Sequence, residues 1–162
     1  MNVNQNNLVD CKEISEIEFT DLKNLWMNDY AISFARSGLM DQKTASNRAA
    51  EMWSKTFEEG KETKGHLIRT IIDYDSKHTV GYIWVSQFYP NQKKCFLSYL
   101  HVKLDFRRRG FGKAAMEMID IHLKRNGITE MTLNVFSDNQ AARALYSSLG
   151  YSEALVTMRK EL

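Results

Sequence analysis

The segment Cys95–Lys113 constrains the fold more than any other part of the chain. A β-like run, Cys95 to Val102, passes through a short basic loop into an amphipathic helix with almost no linker. That helix, Gly110–Arg125, carries Phe111, Ala115, Met118, Ile119, His122 and Leu123 along one face at helical spacing. Asn126-Gly127 ends it, and Met131–Phe136 reads as the next strand. A strand, a helix and a second strand in this order form a β-α-β crossover with parallel strands. The loop between the first strand and the helix holds Arg107, Arg108, Arg109, Gly110 and Gly112. Backbone N–H groups and the positive end of the helix dipole converge there, which suits a phosphorylated ligand.

The rest of the chain supplies the partners for that unit. Leu8–Lys12 reads as a short strand, and Ser15 with Glu18 as a capping box opening a helix to about Phe34. Thr44–Phe57 predicts a second helix. The period then changes: His66–Tyr74 and Thr79–Phe88 are rich in β-branched and aromatic residues, with Asp75–His78 between them as a turn. Pro90–Lys93 turns into the Cys95–Val102 strand. Ser137–Leu149 predicts a last helix, capped by Ser137 with Gln140 and closed by Gly150, and Tyr151–Lys160 a last extended segment. The order β-α-α-β-β-β-α-β-α-β predicts an α/β fold with a mixed sheet and helices on both faces.

Length and charge narrow the function. At 162 residues, 43% apolar and 26% charged, residues 1–162 read as one domain of ordinary globular composition. A net charge of +2 without a broad basic stripe argues against nucleic acid. The Asn-rich start, Met1–Asn7, lacks the regions of a signal peptide, and no apolar run approaches the roughly 20 residues of a membrane span. Cys11 and Cys95 read as a reduced pair without metal spacing, so the expectation is a soluble cytoplasmic protein without a metal.

Two constellations carry chemistry. Arg107 to Arg109 alone would read as a solvated charge run, but Gly110 and Gly112 permit positive φ and leave the backbone open to a ligand. Neither a P-loop nor a dinucleotide fingerprint is present. Downstream, Asn139 falls near the start of the last helix, with Ala142 and Tyr146 three and seven residues beyond it on one side. By periodicity alone Asn139 is a cap and Tyr146 a core or boundary tyrosine.

Together these residues resemble the GNAT superfamily of acetyl-CoA-dependent N-acetyltransferases. The likeness covers roughly Thr79 to Leu162. It includes the Arg-x-x-Gly-x-Gly/Ala signature as Arg107-Arg108-Arg109-Gly110-Phe111-Gly112. It also includes Asn-x-x-Ala-x-x-Leu-Tyr-x-x-Leu-Gly-Tyr/Phe, running from Asn139 through Tyr146 to Tyr151. The resemblance implies acetyl-CoA as donor and an amine as acceptor, joined by direct attack in a ternary complex. It implies that the loop from Arg107 through Arg108, Arg109, Gly110, Phe111 and Gly112 to Lys113 cradles the pyrophosphate. Leu100, His101 and Val102 would pair with the pantetheine arm through their backbone, Asn139 would contact the cofactor, and Tyr146 would protonate the departing thiolate. A homodimer is a further family expectation.

The general base departs from the best-known pattern. Several relatives carry a glutamate on the strand before the loop, yet no Asp or Glu lies between Asp75 and Asp105, and Phe96 stands at the corresponding place. The alternatives are a water chain ordered by Ser98 or Tyr99, a carboxylate such as Asp29 or Glu51, or His101. Trp26, Tyr30, Phe34, Trp53, Phe57, Tyr82 and Trp84 either line an acceptor pocket or form core. The acceptor reads first as a small-molecule amine, and second as a peptide or protein N-terminus or lysine. A CoA-binding sensor without chemistry is the reading from another class.

Overall fold

A computed structural model of the chain describes residues 7–160 and 162. The Asn-rich start therefore lies outside the described residues, apart from Asn7. The elements are β1 (Val9–Glu13), α1 (Glu16–Arg36), α2 (Gln42–Thr56), β2 (His66–Asp73), β3 (Thr79–Ser86), β4 (Lys94–Val102), α3 (Phe111–Arg125), β5 (Glu130–Leu133) and α4 (Gln140–Ser148). They form a sheet in the order β1-β2-β3-β4-β5, antiparallel from β1 to β4 and parallel between β4 and β5. This is the mixed α/β architecture expected from the period changes and the crossover.

Two local expectations are corrected. Tyr151–Lys160 forms no strand. Leu155 and Met158 on it are 88% and 90% exposed, so no buried apolar face sets a register against β5. Glu153 pairs with Arg143, and Arg159 donates to the Gly38 carbonyl at 2.8 Å, which ties the segment to helix ends instead. The cap of α4 is Asn139 rather than Ser137. Asn139 Oδ1 accepts the Ala142 N–H at 3.2 Å, while Gln140 Nε2 donates to the Ser137 carbonyl.

The helices divide between the two faces of the sheet. On one face α3 buries Phe111, Ala115, Met116, Ile119 and Leu123 against Ile71, Val80, Ile83, Val85 and Leu97. On the other, Phe19, Leu22 and Trp26 of α1 and Ala49, Trp53 and Phe57 of α2 or its end meet Ile68, Tyr82 and Trp84. The aromatic residues there pack as core: Trp53 and Trp84 lie 5.8 Å apart and Phe57 and Trp84 4.9 Å, both measured between ring centroids. Trp84 Nε1 donates to His66 Nδ1 at 3.0 Å, satisfying the buried indole. Among the described residues no helix is long and apolar enough to cross a membrane.

The capping box holds α1 in place and makes stability depend on acid. Ser15 Oγ accepts the Glu18 N–H at 3.3 Å, and Glu18 Oε2 accepts the Ser15 N–H at 3.0 Å. Burial alone would raise the Glu18 carboxyl, but the Ser15 hydrogen bonds and the Lys12 ammonium outweigh it and lower its pKa from 4.5 to about 2. A carboxyl lowered in the folded state stabilises the fold above its unfolded pKa, and that contribution is lost as pH falls through the folded value. The urea midpoint is therefore expected to decline between pH 4.5 and about 2, and less steeply in Glu18→Gln. Parallel profiles for the two proteins would refute this role.

Candidate active site

The site begins with an irregularity in β4. Trp84 pairs with Tyr99 but Val85 pairs with Leu97, so Ser98 is an extra residue, a β-bulge. Because side chains alternate along a strand, one extra residue reverses which positions face which side. Cys95 and Leu97 pack on the α3 face before the bulge, and Leu100 and Val102 pack there after it. Tyr99 packs toward α1, and His101 shares its side by alternation. Ser98 itself bonds to Ser86, Oγ to Oγ at 2.7 Å.

The same strand then loses its partner. β5 pairs with β4 only over Lys94–Leu97 against Glu130–Leu133. From Ser98 to Val102 the edge of β4 that faces away from β3 has no strand against it among the described residues. The two strands diverge and open a cleft of ≈ 1610 Å³ lined by β4, the start of α3, α4 and the C-terminal half of α1.

At the end of β4 the chain turns through Lys103–Arg109 into α3. Arg108 has φ 62° and Gly110, the N-cap, φ 85°, a left-handed conformation that favours glycine. Among the described residues no side chain caps this helix. Ala114 donates to the Gly110 carbonyl at 3.0 Å, so Phe111, Gly112 and Lys113 precede the first intrahelical donor. Their N–H groups face outward at the positive end of the dipole. The side chain of Phe111 is buried in the core and leaves only its backbone for a ligand. A Cβ on Gly112 would make ordinary contacts, 3.5 Å from Leu145 Cδ2 and 3.6 Å from Val102 Cγ2, so the position excludes large side chains rather than alanine.

The three arginines have different surroundings. Arg107 Nε donates to the Val102 carbonyl at 2.8 Å and pins the loop to the strand. Arg108 is exposed and lines the cleft. Arg109 lies over the rings of Phe106 and Phe111 and is not part of the cleft lining. Leu100, His101, Val102, Gly110, Phe111, Gly112, Lys113, Asn139 and Tyr146 all line the cleft. Lys113 also sits 3.9 Å from Glu117.

On the opposite wall, Tyr146 is half-buried, its ring 5.6 Å from that of Tyr151. Burial pushes its phenol up to about 12, so it is protonated at neutral pH. Among the described residues its hydroxyl has no hydrogen-bond partner. The thiols of Cys11 and Cys95 are likewise raised by burial, each to about 11, which leaves them poor nucleophiles.

The cluster that the sequence left open sits on the α1 side. Tyr99 donates its hydroxyl hydrogen to Asp29 Oδ2. His101 Nδ1 lies 3.2 Å from the same oxygen and 3.1 Å from the Tyr99 hydroxyl. Burial alone would raise the Asp29 carboxyl, but the hydrogen bonds from His101 and Tyr99, with the charge of Arg107, hold it below the usual range. Tyr99 is pushed far above a normal phenol by burial and by the Asp29 charge, and so remains a donor. Glu51 is elsewhere, exposed on α2 and paired with Lys55 at 2.6 Å. Phe96 lines the cleft without a titratable group. Tyr30 and Phe34 also line it, as do the core residues Trp26 and Trp84, whereas Trp53, Phe57 and Tyr82 are core alone.

Two contacts unforeseen in the sequence cross the cleft. Phe34 meets Phe136 edge-on at 5.1 Å, and Arg36 pairs with Asp138 at 2.5 Å. They join the end of α1 to the segment after β5. No local pattern signals them, because each pair is remote in sequence.

Comparison with known proteins gives a consistent result. The model of the Acetyltransferase (GNAT) family matches residues 20–151. The chain is 24% identical over 153 residues to the uncharacterized N-acetyltransferase YdgE of Bacillus subtilis, covering 93% of this chain and 96% of that protein. A stretch of 52 residues is 40% identical to the ribosomal protein bS18-alanine N-acetyltransferase of Escherichia coli, 32% of this chain and 35% of that one. The crystal structure of YycN from Bacillus subtilis superposes with a TM-score of 0.88 at 23% identity, covering 95% of this chain and 98% of that one.

Proposed function

The chain belongs to the GNAT acetyltransferase family and is an acyltransferase, and on that premise we propose that it transfers the acetyl group of acetyl-CoA to the primary amine of a small molecule. The observation that carries the reading is the meeting of three features in one cleft. These are the unpaired edge of β4 after the bulge, the free N–H groups of Phe111 to Lys113, and the unpartnered Tyr146 hydroxyl. The donor fits these groups: a pyrophosphate needs several N–H donors at a helix start, and an extended amide arm needs a strand edge. Phe111, Gly112 and Lys113 would hold the pyrophosphate, with Arg108 beside them, and Leu100 to Val102 the arm. Acetyl-CoA supplies the activated thioester carbonyl.

The residues then divide the work. A backbone N–H at the end of β4 stabilises the negative charge that develops on the carbonyl oxygen as the amine attacks. Tyr146 donates to the sulfur as it departs. The high thiol pKa values of Cys11 and Cys95 support direct transfer over a covalent enzyme intermediate. The bridges from Phe34 to Phe136 and Arg36 to Asp138 support a small acceptor, because they join two walls of the cleft, the end of α1 and the segment after β5. The match to the bS18-alanine enzyme favours a second reading, in which the acceptor is a peptide N-terminus.

The test is to mix the protein with acetyl-CoA and a panel of small amines and short peptides while following free thiol. Thiol release with at least one small amine is expected, together with a rise in melting temperature on adding CoA. No stabilisation by CoA and no thiol release with any amine would refute the reading. Release with peptides alone would select the second.

A further inference from the structure

We infer that His101 is the general base of this transfer, held in the productive tautomer and orientation by Asp29 and Tyr99; this rests on the acetyltransferase reading above. An ammonium cannot attack a thioester until it gives up a proton, and β4 carries no carboxylate to take it. Asp29 Oδ2 is the common point of the cluster, facing both the Tyr99 hydroxyl and His101 Nδ1. An ionised carboxylate only accepts, so Nδ1 must carry the hydrogen that points at it. In a neutral imidazole Nε2 is then the bare nitrogen, and among the described residues no protein group bonds to it. A ring with one nitrogen tied to a carboxylate and the other unbonded, in a residue that lines the cleft, is the arrangement in which histidine serves as a base.

Tyr99 adds direction. Its hydroxyl hydrogen also goes to Asp29, so it presents no proton to Nδ1 and leaves the tautomer unopposed. The side chain of His101 is only 10% exposed, whereas that of Asp29 is 41% exposed, so the buried partner is the one locked in place. The charged and titratable groups around the ring are Asp29 from α1, Tyr99 on the same strand, Tyr82 opposite it on β3, and Arg107, whose charge acts on Asp29 and Tyr99. The bulge at Ser98 contributes by turning Tyr99 and His101 toward α1, where Asp29 stands. The proton count closes. The acceptor nitrogen loses two protons in becoming an amide: one leaves through His101 Nε2 to solvent, and the other is balanced by the proton that Tyr146 gives the sulfur and recovers.

His101→Gln and Asp29→Asn test this through pH profiles of kcat/KM with an alkyl amine, beside CoA-induced thermal stabilisation as a check on folding. At neutral pH His101→Gln is expected to lose about 100-fold, with the stabilisation by CoA unchanged. The deficit should shrink to a few-fold as pH rises toward the acceptor's own pKa, since unprotonated amine then needs no base. Asp29→Asn keeps the shape of the cluster but loses the anion that fixes the Nδ1–H tautomer, so kcat/KM at neutral pH should fall by a smaller factor than in His101→Gln. A structural role would depress activity equally at every pH, and that outcome overturns the proposal. So does a His101→Gln profile that matches the wild type. Absence of wild-type turnover with any amine would instead remove the acetyltransferase reading, and this inference with it.

Discussion

Tyr146→Phe is expected to lower kcat by about 100-fold while leaving KM for acetyl-CoA within about twofold. The substitution removes one oxygen. The ring stays packed against Tyr151 and the α3 core, so the wall of the cleft keeps its shape. Burial holds the phenol at about 12, far from ionising at neutral pH, so the group is a donor throughout the working range. With no protein acceptor for its hydrogen among the described residues, it is ready to bond to whatever negative atom arrives. A charge that appears only as the thioester breaks is stabilised only in the transition state, which is why the loss belongs in kcat rather than KM. Saturation kinetics of thiol release on the two proteins measure the split. A kcat within twofold of wild type would remove Tyr146 from the general-acid role.

Gly81→Ala is expected to destabilise the protein by about 2–3 kcal/mol, lowering the melting temperature by roughly 5–10 °C. Two effects oppose each other. Alanine in a strand interior gains about 0.5–1 kcal/mol over glycine because it restricts the unfolded chain. Against this, a Cβ at Gly81 would overlap the carbonyl oxygen of His101 and lie 3.0 Å from its carbonyl carbon and 3.1 Å from the Val102 Cα. These are backbone atoms in a paired strand and cannot swing aside as a side-chain tip can. The collision wins, and β4 must shift at the residues that line the cleft. Affinity for CoA should therefore fall with stability. A melting temperature equal to or above wild type in a thermal scan would refute the collision between β3 and β4.

The sequence made the order of elements legible because each carries its own signal. The capping box of Ser15 and Glu18, the apolar face of α3 and the β-branched runs of β2 and β3 all depend on neighbours within a few residues. The same holds for the loop from Arg107 to Lys113, and for the spacing of Asn139 and Tyr146. Where a reading failed, the missing information was a partner. Tyr151–Lys160 has the composition of a strand, but a strand exists only when another edge accepts it. Ser137 and Asn139 both suit a cap. The geometry that puts Asn139 Oδ1 on the Ala142 N–H selects the second.

Local patterns thus determined the loop from Arg107 to Lys113, the α3 amphipathic face and the crossover, since hydrogen bonding and periodicity operate over a turn or two of chain. Only the tertiary structure decided which remote side chains meet in the cleft. Asp29 reaches Tyr99 across 70 residues and His101 across 72, and no spacing rule spans such distances. The bulge at Ser98 is equally invisible in sequence, because it is a mismatch in register between β3 and β4 rather than a property of either. That single extra residue turns His101 toward Asp29, while the short β5 leaves the edge of β4 free beside it.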